Sequence, residues 1–495
     1  MNRLIFILFC GCLTISVGAQ SSNDVVKALS LSQCLEIAAR DNFDVQIEQK
    51  GIEIARHDLR QSYGVYDPVL RAGVSRGDSL SAGGIDDQNR AYPGTQTRRD
   101  NVYGGVTGFL PTGLEYDLGG DIADSRGTGP FGRFENAGGT AGIRLRQPLL
   151  RDLWVDSQRV TIQISRTRLR VSELVWRFQL MNTLTRVELA FYDLLLARDS
   201  VRVQAQALDL ANELLAANRE RIKQGVLAAL DEKQAESQVS VQRSVLLTAQ
   251  RTVSVQENLL KGLLSDRIDA WIDVSIQPQG ELAAVQQRVQ RAESWRRGMA
   301  QRPDLLQARA DIERLGYIVR YNRNQTYPQL DAVGGYGHGG SANEVSGTLG
   351  QWRRGSSPFH SYGVQMSLPL SGRSAREGLR VAKSEKEQSA LRVRQLEQEI
   401  LLEIDNAVRA VELNFERVGT TRQAREFAEA ALRAEQTKMD TGRSTSFVVL
   451  QLQRDLTSAR SEEIRALAEY NRALAQLALS EGSVFERHQM DVVVK

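Results

Sequence analysis

"RIKQGVLAALDEKQA" (Arg221–Ala235) and "MDTGRSTSFVVLQLQ" (Met439–Gln453) each interrupt a long amphipathic run with a glycine, Gly225 in the first and Gly442 in the second. Residues 155–265 and 375–480 are dominated by Glu, Gln, Arg, Ala and Leu, the composition of long helices. A glycine just past a periodic segment ends a helix, because it enters the left-handed conformation without a Cβ penalty. The two stretches therefore read as helix reversals, 217 positions apart.

The same offset holds a heptad in register. Val239, Leu246, Val253 and Leu260 recur every seven residues, and their counterparts are Leu456, Glu463, Tyr470 and Leu477. A seven-residue apolar repeat means helices packed side by side with a left-handed supercoil. Other landmarks are duplicated too. Pro68 in "YGVYDPVL" stands opposite Pro328 in "NQTYPQL", and "NFDV" (42–45) opposite "RPDL" (302–305), both 260 positions on. Pro148 in "IRLRQPLLRD" matches Pro369 in "VQMSLPLSGR" at an offset of 221, so the first copy carries 39 extra residues between its prolines.

These landmarks divide the chain into repeat 1 (20–264), an inter-repeat segment (265–292), repeat 2 (293–482) and a tail (483–495). Helices are expected over 31–63, 152–223 and 226–264, and over 293–325, 374–440 and 443–480. At 1.5 Å per residue the first set measures about 50, 108 and 58 Å, so two short helices stacked end to end match one long helix.

Between the prolines the period changes from helical to two. Leu114, Tyr116, Leu118 and Ile122 alternate with polar residues and Gly119, and so do Tyr362, Val364, Met366 and Leu368. Leu70, Ala72, Val74, Ile143 and Leu145 follow the same rule. Alternation implies a sheet with one apolar and one polar face. Six strands are expected, near 69–77, 101–110, 113–123, 140–147, 329–338 and 360–368. "LPTG" (Leu110–Gly113) reads as a tight turn, whereas 78–100 and 124–139 read as long Gly-rich loops. Short turns at one end and long loops at the other fit an outer-membrane barrel, with Tyr63, Tyr66, Tyr327 and Tyr362 near strand ends; a soluble sandwich would alternate in the same way.

Composition narrows the class. The 495 residues carry a net charge of +3 with a quarter of them charged, which points away from nucleic acid. Arg3, the apolar run "LIFILFCGCLTIS" and Val17-Gly18-Ala19 read as a signal peptide (1–19), with lipidation at Cys12 as the alternative to cleavage after Ala19. Cleavage leaves Cys34 as the lone cysteine. No later stretch is long and apolar enough for a membrane helix, so an exported chain of this kind is either soluble or a β-barrel.

This layout resembles the TolC-like outer-membrane efflux proteins. The residues that carry the resemblance are Pro68 and Pro328 at strand entry, "RQPLLRD" (146–152) and "SLPLSGR" (367–373) at strand exit, and the two reversals. It covers nearly the whole mature chain, and the duplicated order is more specific than any one motif. The resemblance implies a mainly α fold with a β-barrel part completed by homotrimerisation, continued as a coiled-coil tunnel through the periplasm. Six strands per protomer are favoured here over the usual four. It further implies a periplasmic adaptor protein and an inner-membrane pump (RND, ABC or MFS type) docking at the helical tip, and outer-membrane lipid around the barrel.

In that family, polar and acidic residues just after the two glycines constrict the periplasmic aperture. The tip candidates here are Gly225, Asp231, Gly442, Arg443, Val448 and Gln451. Asp231 falls on the acidic position after the first reversal, where a solvated first-turn carboxylate is the equally open reading. Val448 and Gln451 stand where the best-known member has acidic residues, which implies a greasier, less cation-selective constriction. Phe43 departs as well, at a position where the family often has proline.

The four histidines are scattered without ligand spacing, and no phosphate loop, dinucleotide fingerprint or nucleophile elbow is present. The chain therefore reads as no enzyme, with no cofactor or metal. Two functions remain: a passive export duct of an efflux or type I secretion system, or a periplasmic coiled-coil scaffold without a pore.

Overall fold

The structure is a computed structural model that describes residues 25–129, 131–224 and 228–490. The signal peptide, Cys12 and Gly225 lie outside the described residues. In chain order the elements are β1 (Val25–Ser30), α1 (Leu31–Asp41), α2 (Phe43–Tyr63), β2 (Val69–Ser81), β3 (Gly84–Ile85), β4 (Ala91–Tyr92), β5 (Thr95–Phe109), β6 (Glu115–Gly129) and β7 (Gly132–Pro148). The first two long helices follow, α3 (Ser157–Lys223) and α4 (Ala229–Leu264), then β8 (Val274–Gln279), α5 (Arg291–Gln301) and α6 (Pro303–Asn324). The chain continues with β9 (Gln329–Ala342), α7 (Val345–Arg354), β10 (Pro358–Ser367), α8 (Arg373–Asp440), α9 (Ser446–Glu481) and α10 (Val484–Arg487). The protein is mainly helical with a sheet.

The chain falls into two compact units. Among the described residues, one holds the segment from Val25 to Phe43 with Asn182–Arg288 and Ala407–Leu477; the other holds Asp44–Met181, Val289–Asn406 and the segment from Ala478 to Met490.

In the first unit, Ser30 opens α1 with a reciprocal capping box: its hydroxyl accepts from the Gln33 amide while the Gln33 side chain accepts from the Ser30 amide. β1 pairs in parallel with β8, Val25 opposite Val274. The unit's helices bury an apolar seam that includes Val411, Leu456, Tyr470, Leu474 and Leu477. Leu260 of the expected heptad is fully buried, whereas Val239, Leu246 and Val253 are half-buried. Glu463 occupies its heptad position by pairing with Arg425 at 2.6 Å.

Two expected helices are each broken. The run 31–63 stops at Asn42 and the run 293–325 stops at Arg302, both in extended conformation. At Arg302 the cause is local, because a residue that precedes proline is excluded from helical space and Pro303 then starts α6. At Asn42 no proline follows. Its buried side-chain amide instead donates to the Leu263 carbonyl at 2.9 Å, near the end of α4. Arg302 reaches the Ser480 carbonyl at 3.2 Å, near the end of α9. The two breaks lie 260 positions apart and the two carbonyls 217 apart, the offsets found in the sequence.

In the second unit, six strands form one antiparallel sheet in the order β10-β9-β7-β6-β5-β2. The segment 101–123 pairs on both sides. The hairpin at Leu110–Gly113 closes tightly, with Gly113 at φ +85° and its amide donating to Leu110. The other expected loops are mostly strand. β6 and β7 run almost to each other across 124–139, and β2 and β5 pair out to Ser81 and Thr95, with the β3–β4 hairpin beyond. Ion pairs replace apolar contacts there: Arg76 with Asp100 at 2.5 Å, Arg98 with Asp78 at 2.9 Å and Arg126 with Glu135 at 3.8 Å. Cross-strand charge pairs sustain a ladder where glycine content alone argues for a loop.

The register separates two faces. One carries rows such as Leu70–Val106–Leu118–Ile143–Tyr336 and Val74–Val102–Ile122. The other carries Thr107, Asp117 and Arg144, and a knot in which Arg146 donates to both Glu115 and Asp331 at 2.9 Å. Pro68 and Pro328 directly precede β2 and β9, Pro148 ends β7, and Pro369 follows β10. Each sits where a missing amide donor leaves no gap in the interior of the ladder.

Candidate functional site

The helical turn at Gly442 lies in the first unit, where side chains of α3, α4, α8 and α9 make contact. α8 ends in a paired closure. Gly442 adopts φ +74°, its amide donates to Met439, and the Arg443 amide donates to Lys438. These two hydrogen bonds satisfy carbonyls that the helix end leaves orphaned, and only a left-handed residue closes them cheaply. Beneath it lies an apolar cluster of Leu214, Leu432, Met439, Val449, Leu450 and Leu456.

One polar contact crosses this core. The Ser446 hydroxyl donates to the Asn218 carboxamide oxygen at 3.0 Å, and both residues are buried. The Asn218 amide nitrogen points to the Asp231 carbonyl at 3.5 Å. At the rim Arg221 pairs with Asp440 at 2.9 Å. Along α4, Arg219 bridges Glu232 and Glu236 at 3.0 and 2.9 Å. Hydrogen bonds from Lys233 and then Arg219 hold the Glu236 carboxyl below the usual carboxylate range. On α8, Glu435 accepts from the Ser444 hydroxyl at 2.5 Å, and this bond, ahead of that from Lys438, holds its carboxyl below the usual carboxylate range. Arg460 likewise holds Glu429 low through a 2.9 Å pair.

Of the described tip candidates, Asp231 lies on α4, Gly442 and Arg443 lie between α8 and α9, and Val448 and Gln451 lie on α9. Asp231 sits in the first turn of α4, half-buried, and among the described residues its carboxylate makes no ion pair. Arg443 and Gln451 are exposed, and Val448 is exposed beside Phe447. Asn218, Ser446 and the Arg221–Asp440 pair were absent from the sequence reading. Asn218 had a readable signal: Ala207, Ala211, Leu214 and Asn218 step by four, three and four, which places a polar residue on a heptad core position. Ser446 carried none.

Chemically the arrangement can hold helices together or release them. Among the described residues no group of His, Cys, Asp and Glu is set to hold a metal ion. Cys34 is buried, and desolvation pushes its thiol up to about 12, which makes it unreactive.

Residues 297–483 match the family model described as outer membrane efflux protein. The resemblance to the TolC-like outer-membrane efflux proteins holds. No curated protein matches the chain. Solved structures are similar to it in fold. The CmeC outer membrane channel of Campylobacter jejuni superposes with a TM-score of 0.66 at 15% identity, over 92% of this chain and 85% of that one. VceC of Vibrio cholerae gives 0.66 at 17%, over 91% and 96%. The MtrE outer membrane channel of Neisseria gonorrhoeae gives 0.65 at 17%, over 91% and 88%. The family model covers much of the second half of the chain, and the solved channels share its fold.

Proposed function

We propose that the protein is the outer-membrane exit duct of a tripartite efflux or type I secretion system, a passive channel from the periplasm and an inner-membrane pump to the exterior. The observation that carries this reading is the two-faced sheet. Its apolar face stands bare in the single chain, with Tyr362 88%, Val74 78% and Leu70 76% exposed. A face of this kind needs lipid or protein against it.

The sheet also has two open edges, β2 and β10. β2 pairs antiparallel to β5 and β10 antiparallel to β9, and the six-strand order makes β2 and β10 antiparallel to each other. A second copy can therefore continue the ladder. Six strands cannot close a barrel around a pore, whereas three copies give eighteen, in the range that leaves an aqueous channel. The homotrimer is supported independently by apolar residues left uncovered on the long helices, including Val241, Leu247, Leu259, Leu413 and Phe427.

Outer membrane efflux proteins work with adaptors and inner-membrane pumps. We place such partners, of RND, ABC or MFS type, at the turn around Gly442 and the turn that ends α3, and assign Asp231, Arg443, Val448 and Gln451 to the aperture there. Reconstitution into planar bilayers tests the duct: stepwise conductance supports it, and protein that stays soluble and gives no conductance overturns it.

A further inference from the structure

We propose that α7 is an interfacial helix whose terminal arginines, Arg353 and Arg354, seat the phosphate of an outer-leaflet lipid headgroup; this rests on reading the sheet as a membrane wall. α7 is fixed to the sheet. The Thr348 hydroxyl, fully buried, donates to the Ala137 carbonyl at 2.7 Å. The Gln351 side chain both accepts from the Ser341 amide and donates to the Ser341 carbonyl, each at 2.9 Å. It thereby replaces β10, whose ladder to β9 stops at the pair Pro358–His338.

The helix lies on the apolar face. A Cβ on Gly340 would meet Thr348 at 3.0 Å and Trp352 at 3.2 Å, and Gly340 shares its row with Gly139, Ile122, Val102 and Val74. The next row outward holds Arg76, Asp100 and Asp124, so α7 sits where the apolar band ends. Those carboxylates are already committed, Asp100 to Arg76 and Asp124 to Arg126. Arg353 and Arg354 are exposed, and among the described residues neither has an ion pair. Leu349, also exposed, lies one turn before Arg353 on the same outward stripe.

A helix that turns a leucine and guanidinium groups outward at the rim of an apolar band has the makeup of an interfacial helix. The arginine stems cover apolar surface while their forks offer paired donors to phosphate. The helix dipole alone favours basic residues in a last turn. It does not account for the exposed leucine beside them or for the bonds that pin the helix to the lipid side.

The test uses the full assembled protein in detergent, titrated with bisphosphorylated lipid A and with its dephosphorylated form, with retention read by native mass spectrometry. Wild type is expected to retain the phosphorylated lipid at least tenfold more tightly than R353A/R354A, and R353K/R354K to recover part of the difference. Equal retention by wild type and R353A/R354A overturns the site, and so does equal retention of both lipids by wild type. Insertion of wild type into lipid vesicles is scored in parallel. Failure to insert overturns the membrane reading and this inference with it; insertion with no arginine dependence overturns this inference alone.

Discussion

Asn218 and Ser446, both buried, share a 3.0 Å hydrogen bond between α3 and α9, one residue from each half of the chain. A buried polar pair of this kind costs more when one partner is removed than when neither is present. Ser446→Ala therefore leaves the Asn218 oxygen unsatisfied and is expected to lower stability by roughly 1–3 kcal/mol. Asn218→Leu with Ser446→Ala is expected to recover most of the loss. Chemical denaturation of the single and double variants measures the coupling, and additive effects would argue against it.

Two left-handed glycines give a matched comparison. Gly442 (φ +74°) has open space where a Cβ would go, whereas at Gly482 (φ +76°) a Cβ would meet the Arg302 backbone at 3.2 Å. Gly442→Ala is expected to cost about 1–2 kcal/mol from backbone conformation alone. Gly482→Ala is expected to cost more, because the alpha-carbon of Arg302 lies at 3.3 Å and cannot yield like a side chain. Thermal unfolding of the two variants should rank them in that order.

The sheet offers a second contrast. A Cβ on Gly142 would lie 2.5 Å from the Tyr336 carbonyl oxygen and 2.7 Å from the Gly337 alpha-carbon, directly between β7 and β9. Gly104 has nothing within 4 Å. Gly142→Val is therefore expected to open the pairing that joins strands from the two halves of the chain and to abolish heat-modifiable migration on gels. Gly104→Ala should migrate as wild type.

Acid should loosen the helical junction only at low pH. The hydrogen bond from Arg460 is the largest cause holding the Glu429 carboxyl below its ordinary value, with further help from Arg425. A group with a depressed folded-state value contributes stability above its unfolded value, near 4.3, and loses it as pH falls through the folded value. Stability should thus be flat from pH 8 to about 5 with respect to this group and fall below about 4. Arg460→Ala should lessen that acid-side fall, as read from denaturation midpoints against pH.

Much of the fold is legible in the sequence because two periods and two glycines report it. The alternation at Leu70–Val74 and Tyr362–Leu368 reads directly as a two-faced strand, and Gly442 ends its helix where the pattern stops. Legibility fails where long-range partners override local chemistry. Asn42 breaks a helix without a proline because it serves the Leu263 carbonyl, a partner 221 residues away. Residues 124–139 resemble a loop in composition yet run largely as strand, where Arg126 of β6 meets Glu135 of β7 across the ladder at 3.8 Å. The short parallel pair of β1 and β8 went unread because six residues on each side leave too little pattern.

The most direct measurement is cryo-electron microscopy of the detergent-extracted particle. The account predicts three-fold symmetry, eighteen strands around an open lumen, β2 of one copy against β10 of the next, and α7 at the outer rim of the detergent belt. A monomer, a filled bundle without a lumen, or a twelve-strand wall with residues 95–129 outside it would contradict the account.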